Sequence, residues 1–111
     1  MAFELIRAVG AEGGIVGCHC ENGDLVTEGI RAQKAAGCYS PAAHPLSRPA
    51  AAEAEAITRW LSIAELAGYP VNVVHLSTAR GLEAIRAARA RGQRLYVETC
   101  PQYLLLDEGR Y

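Results

Sequence analysis

The stretch from Gly14 to Asp24, GIVGCHCENGD, places one histidine between two cysteines and ends in a turn signal. Its apolar half is short and lies between turn residues, which is typical of a buried strand. Side chains on a strand alternate between its two faces. We therefore expect Cys18 and Cys20 on one face and His19 on the other. This arrangement disfavours a Cys-His-Cys metal chelate, and the C-x-C spacing disfavours a C-x-x-C redox pair.

Two more strand-like runs follow along the chain, PVNVVHLS and RLYVETCP, and both are bounded by turn or helix signals. The sequence predicts strands near 14–20, 71–76 and 94–99. Helical segments separate them in the predicted order α-β-α-α-β-α-β. Strands joined through helices pair in parallel with right-handed crossovers. The sequence therefore predicts an α/β fold with a three-stranded parallel sheet.

Capping and breaking residues bound the predicted helices. Asp24 is a candidate cap for a helix from Leu25 to about Ala36, and Ser77 is a candidate cap for a later one. Pro49 suits the start of a helix that ends at Gly68. The proline-containing segment 38–48 shows no period and is predicted to be a loop.

Composition excludes several classes of protein. The chain has 111 residues, 50% of them hydrophobic, and a net charge of −1 from 11 basic and 12 acidic residues. It is long enough for one modest core and shows no basic stripe for nucleic acid. No apolar run approaches the ~18 residues of a membrane span. We expect a single unit over 1–111.

The cysteines indicate a reducing compartment. Glu4 and Arg7 interrupt the apolar start, which is unlike a signal peptide. Four cysteines in a chain without a secretory signal predict free thiols and a cytoplasmic location. We expect all four to be small apolar fillers, because free cysteine is among the most buried residue types.

Two histidines stand near predicted strand ends. His19 precedes the Asn-Gly-Asp turn, and His75 precedes a capped helix. The carboxyl ends of parallel strands carry the chemistry in α/β folds, and neighbouring strands lie ~4.8 Å apart. His19 and His75 could then share one metal ion, although each could instead be a hydrogen-bonded core histidine. His44 is a further candidate ligand, but its proline-rich loop favours a loop or capping role.

Four ordered segments resemble the dihydropyrimidinase and hydantoinase branch of the cyclic amidohydrolases. They are CHCENGDLV, HPLSRPAAAEAEA, VNVVHLSTARGLEAIRAARARG and LYVETCPQYLLLD, and together they extend over essentially the whole chain. The resemblance implies a partial (β/α)8 TIM-barrel segment in which the three strands are barrel strands five to seven. Residues 1–111 would then be one segment of an incomplete barrel domain.

The same resemblance implies an activity and a cofactor. The family opens cyclic amide rings such as hydantoins and dihydropyrimidines at a two-metal site, usually zinc. His19 and His75 would bind the second, more exposed metal, while Glu21 has no assigned role. The family's H-x-H, carboxylated lysine and aspartate have no counterpart here. We therefore expect no catalytic residue within this segment, weak zinc binding and no hydrolysis by the isolated chain.

Other interpretations stay open. Allantoinases and dihydroorotases share the scaffold. A stand-alone α/β binding module is disfavoured because no G-x-G-x-x-G follows a strand. A protein-interaction module that docks through open sheet edges is a further alternative, and such edges predict self-association. Arg48, Glu53 and Glu55 belong to a family-like segment, for which we expect a solvated or packing role.

Overall fold

Three short parallel strands alternate with helices along the chain. The computed structural model describes residues 1–111. The strands, in chain order and in sheet order, are β1 (Val16–His19), β2 (Val71–Val74) and β3 (Tyr96–Val97). The helices are α1 (Ala2–Ala11), α2 (Gly23–Ala35), α3 (Ala43–Leu46), α4 (Ala50–Ala67) and α5 (Ala79–Ala90). Two 3-10 turns follow, Pro101–Leu104 and Glu108–Arg110. The predicted α/β fold with three parallel strands is confirmed.

All three strands are shorter than predicted, and the segment 38–48, predicted to be a loop, contains the short helix α3. β2 ends at Val74 because the next residue, His75, has a φ of 43°, which no strand residue adopts. Backbone pairing between the second and third strands nevertheless continues past their assigned ends. The amide of Glu98 donates to the Val73 carbonyl at 2.9 Å, and the amide of Leu76 donates to the Glu98 carbonyl at 2.8 Å.

The two predicted side-chain caps are wrong by one or two residues. Asn22, not Asp24, caps α2, and its side-chain oxygen accepts from the amides of Asp24 and Leu25, both at 3.1 Å. Thr78, not Ser77, caps α5. The hydroxyl and amide of Ser77 are already bound to a carboxylate from α4, described below. The predicted end of α4 at Gly68 is correct, with a φ of 78° that favours glycine.

The core lies between one face of the sheet and the helices α1, α4 and α5. Its fully buried side chains include Ile6, Ile57, Ile85, Val71 and Val73. The opposite face of the sheet carries no helix in this chain. Its side chains are more exposed than those of the core face, as His19 and Tyr96 show.

The cysteines divide into two kinds. Cys18 and Cys20 are each 2% exposed and belong to the core, as expected. Cys38 is exposed and Cys100 is half-buried, so the expectation of apolar fillers is wrong for Cys38. All four thiols are free.

None of the helices combines the length and the apolar character that a bilayer crossing needs.

Candidate metal centre

The rings of His19 and His75 meet at the carboxyl ends of β1 and β2. Nδ1 of His19 lies 2.7 Å from Nε2 of His75, and the ring centroids are 4.7 Å apart at a tilt of 54°. This separation suits a hydrogen bond between the two ring nitrogens. Two nitrogens that bind one zinc ion at about 2.0–2.1 Å in tetrahedral geometry stand about 3.3–3.4 Å apart. The two ring nitrogens are therefore close to the separation of two ligands of one ion, and the rings would have to move apart by about 0.6 Å to bind it.

A left-handed backbone conformation at His75 brings the rings together. The strand register pairs His19 with Val74. Continued alternation after Val71 and Val73, which are buried, would send the His75 side chain toward the core. The φ of 43° interrupts that alternation and turns the ring toward His19. Such a conformation costs about 1–3 kcal/mol and persists where the surroundings enforce it.

The start of α4 holds the ends of both strands. After β1, the amide of Asn22 donates to the carbonyl of Ala52 at 3.1 Å. After β2, the Glu53 carboxylate accepts four hydrogen bonds. Ser77 donates to one oxygen from its amide (2.9 Å) and its hydroxyl (3.0 Å), and Thr78 donates to the other from its amide (2.9 Å) and its hydroxyl. Glu53 is 7% exposed.

The sequence predicted no more than a solvated or packing role for Glu53. The nearby Glu55 is exposed instead, and its carboxylate accepts from Asn22 at 2.6 Å and pairs with Arg59 at 2.9 Å. Two carboxylates two residues apart on a helix point in different directions. The only sequence signal for the buried one was an acidic residue between alanines, AAAEAEA, with a Ser-Thr pair after the next strand.

The other candidate ligands stay apart from the histidine pair. His44 lies in α3 and stacks on Tyr111, with ring centroids 5.1 Å apart and planes 17° from parallel. The Glu21 carboxylate lies 3.8 Å from Nε of Arg48. No group of three or more His, Cys, Asp or Glu side chains in the chain could hold a metal ion. The histidine pair by itself is fewer than the three protein ligands that a catalytic zinc normally has.

An open cleft of about 690 Å³ adjoins His75. Small-molecule sites have volumes of about 300–1,000 Å³. Tyr103 lines this cleft. Burial raises the pKa of Tyr103, and a hydrogen bond to Cys100 adds to the shift, so this phenol stays protonated at neutral pH. The cleft has polar side chains from both ends of the chain, including Glu21, His44, Arg48, His75, Asp107 and Arg110.

A second polar pair lies on the open face of the sheet. The side-chain amide of Asn72 in β2 donates to the carboxylate of Glu98, which follows β3. The side-chain oxygen of Asn72 is buried without a partner. No local sequence pattern predicts this pair, because residues 26 apart in sequence meet only through strand pairing.

The chain is similar to known proteins in both sequence and fold. No family model matches the chain. It is 44% identical over 110 residues to a D-phenylhydantoinase from Escherichia coli O1:K1, a match that covers 98% of the chain and 24% of that relative. The fold matches a D-hydantoinase from Bacillus sp. AR9 with a TM-score of 0.94 and 38% identity, over 97% of this chain and 24% of that one.

A dihydropyrimidinase from Brevibacillus agri NCHU1002 gives a TM-score of 0.93 and 37% identity, over 96% of this chain and 23% of that one. The chain thus spans about a quarter of the length of the curated relatives it matches. The sequence and fold alignments each extend over at least 96% of the chain. The chain is therefore homologous to one segment of the D-hydantoinase and dihydropyrimidinase family.

Proposed function

We propose that this chain forms part of the metal site of a hydrolase that opens cyclic amide rings of the hydantoin and dihydropyrimidine class. His19 and His75 are the proposed ligands, and zinc is the proposed metal. The observation that carries the proposal is the 2.7 Å approach of two ring nitrogens at the open carboxyl ends of adjacent strands. The likeness to D-phenylhydantoinase supports the substrate class.

The chemistry of the donor set suits the proposed ion. Imidazole nitrogen is a good ligand for zinc, and the ligating nitrogen must be free of its proton. A divalent cation supplies a water nucleophile near neutral pH and polarises an amide carbonyl. His19 and His75 hold and orient that ion, while the cleft beside His75 has the volume to receive a small ring.

We further propose that hydrolysis requires groups outside these 111 residues. Two imidazoles are fewer than the three protein ligands of a typical catalytic zinc, and imidazoles that bind the metal are not free to carry a proton to a leaving nitrogen. The isolated chain should therefore bind zinc weakly and leave hydantoins intact. We also place the protein in the cytoplasm, which the four free thiols support.

Zinc titration of the 111-residue chain tests the ligands. We expect the ring resonances of His19 and His75 to shift together in nuclear magnetic resonance spectra as zinc is added. His19→Ala and His75→Ala should each remove the binding. His44→Ala is the matched control, because His44 is an exposed histidine outside the pair. Unchanged zinc affinity in both His19→Ala and His75→Ala would contradict the proposal.

The activity is tested in a full-length protein that carries this segment. There His19→Ala and His75→Ala should lower the zinc content and abolish ring opening of a hydantoin, while His44→Ala keeps its zinc. The isolated chain, assayed with added zinc, should show no turnover. Ring opening by the isolated chain would refute the claim that the site is only partly contained in it.

A further inference from the structure

We propose that Glu53 is a positioning residue that holds the ring of His75 against that of His19. The effect of Glu53 on metal binding rests on the proposed function. The carboxylate of Glu53 does not touch either ring. It acts on the chain segment that directly follows His75, through the four hydrogen bonds from Ser77 and Thr78.

The site around the carboxylate is shaped to receive it. A carboxylate offers only acceptors, and each of its oxygens meets one amide and one hydroxyl donor. A Cβ at position 81 would lie 2.6 Å from Oε2 of Glu53, so only glycine leaves room there. The amide of Gly81 in turn donates to the hydroxyl oxygen of Thr78 at 3.0 Å. The first turn of α5 is thus built around this buried acid.

Two further hydrogen bonds hold Leu76, the residue that directly follows His75. The amide of Leu76 is bound to the carbonyl of Glu98, and the carbonyl of Leu76 accepts from the hydroxyl of Thr99, both at 2.8 Å. The residues after His75 are therefore held on one side by the segment that follows β3 and on the other side by Glu53 of α4. A left-handed φ at a non-glycine residue relaxes when its flanking residues are free to move. Glu53 supplies the hold from the α4 side.

The same turn of α4 also fixes the other strand end. The carbonyl of Ala52, the residue before Glu53, accepts from the amide of Asn22, three residues after His19. One helical turn therefore sets the positions of both histidine-bearing strand ends relative to each other. Loss of the Glu53 contacts should change the distance between the two rings while β1 stays in place.

The test compares Glu53→Gln with two controls in the 111-residue chain, with Zn²⁺ as the probe. A glutamine keeps the shape but turns an amino group toward an amide donor, so one backbone amide loses its acceptor. Glu65→Gln makes the same change at an exposed position of α4. Ile85→Val is a mildly destabilising core change that removes none of the four hydrogen bonds to the carboxylate, and it measures the effect of stability alone.

We expect the zinc dissociation constant of Glu53→Gln to rise by about tenfold, the scale on which supporting groups tune metal sites. Both controls should keep the wild-type value. Without metal, the nuclear Overhauser contact between the two imidazole rings should weaken in Glu53→Gln alone. An unchanged dissociation constant and an unchanged ring contact in a folded Glu53→Gln chain would overturn the inference.

Two further results are decisive. If the wild-type chain binds no zinc through these histidines, the proposed function fails, and the metal-free ring contact alone decides the role of Glu53. If Glu53→Gln does not fold, Ser77→Ala removes one hydroxyl donor and keeps both amides. A two- to threefold rise in the zinc dissociation constant of Ser77→Ala supports the inference, and an unchanged value overturns it.

Discussion

At the scale of single residues, the cysteines beside His19 differ from it in chemistry as well as in direction. Burial raises the pKa of Cys18 to about 11. Burial, with a smaller contribution from the charges of Cys18 and Glu53, raises the pKa of Cys20 to about 12. Zinc and thiol reagents both need the thiolate. Both thiols therefore stay protonated at neutral pH and are poor metal ligands.

Thiol labelling should separate the buried cysteines from the exposed one. At pH 8 we expect a disulfide reagent to modify Cys38 within the mixing time and Cys18 and Cys20 only slowly. Because only the thiolate reacts, the slow rates should rise with pH up to about 11 and about 12. Peptide mapping by mass spectrometry identifies the sites, with the denatured chain as the control. Labelling of Cys18 as fast as that of Cys38 would contradict the assignment.

At the scale of elements, α4 organises the chain. It packs against α1, α5 and β2, and it carries a buried stripe that includes Ile57 and Leu61. Its opposite side is solvated, with Leu66 80% exposed. The same helix therefore supplies the centre of the core and, through Glu53, the support of the candidate metal centre.

Shortening a buried side chain of α4 should cost far more than shortening an exposed one. Ile57 is fully buried, so Ile57→Ala should lower the free energy of unfolding by about 2–5 kcal/mol. Leu66→Ala, on the same helix, should change it by less than about 0.5 kcal/mol. Urea unfolding followed by circular dichroism measures both. Equal losses in the two variants would show that α4 does not pack as described.

At the scale of the whole molecule, the chain covers only one face of its sheet. Its radius of gyration is 15.6 Å, against about 13 Å for a compact domain of this size, and only 18 of 111 residues are buried. β1 and β3 are both edge strands. Val97 packs against the helical core, and Tyr96 occupies the open face.

We propose that the isolated chain self-associates through these edges and the uncovered face. Edge strands present unpaired backbone groups that other chains can pair with, and large exposed apolar patches favour association. The C-terminal segment adds exposed apolar side chains, including Leu104, Leu105 and Leu106. Light scattering at micromolar concentration should give the mass of a dimer or larger assembly. A well-folded monomer at that concentration would refute the proposal.

The sequence by itself determined the order of the strands and the longer helices, the parallel sheet and the separation of His19 from the buried cysteines. These features depend on local periods and on residues such as Gly68, whose conformational freedom acts within one turn. The four family-like segments also indicated the homologous family, because their order and spacing are properties of the chain alone.

Only the tertiary structure decided how the two histidines meet. Strand alternation after Val73 would have turned His75 into the core, and its left-handed φ reverses that direction. The partners of Glu53 lie 24 and 25 residues further along the chain, beyond any local pattern. Conformations of this kind are enforced by contacts between distant segments, and those contacts exist only once the helices and strands have packed.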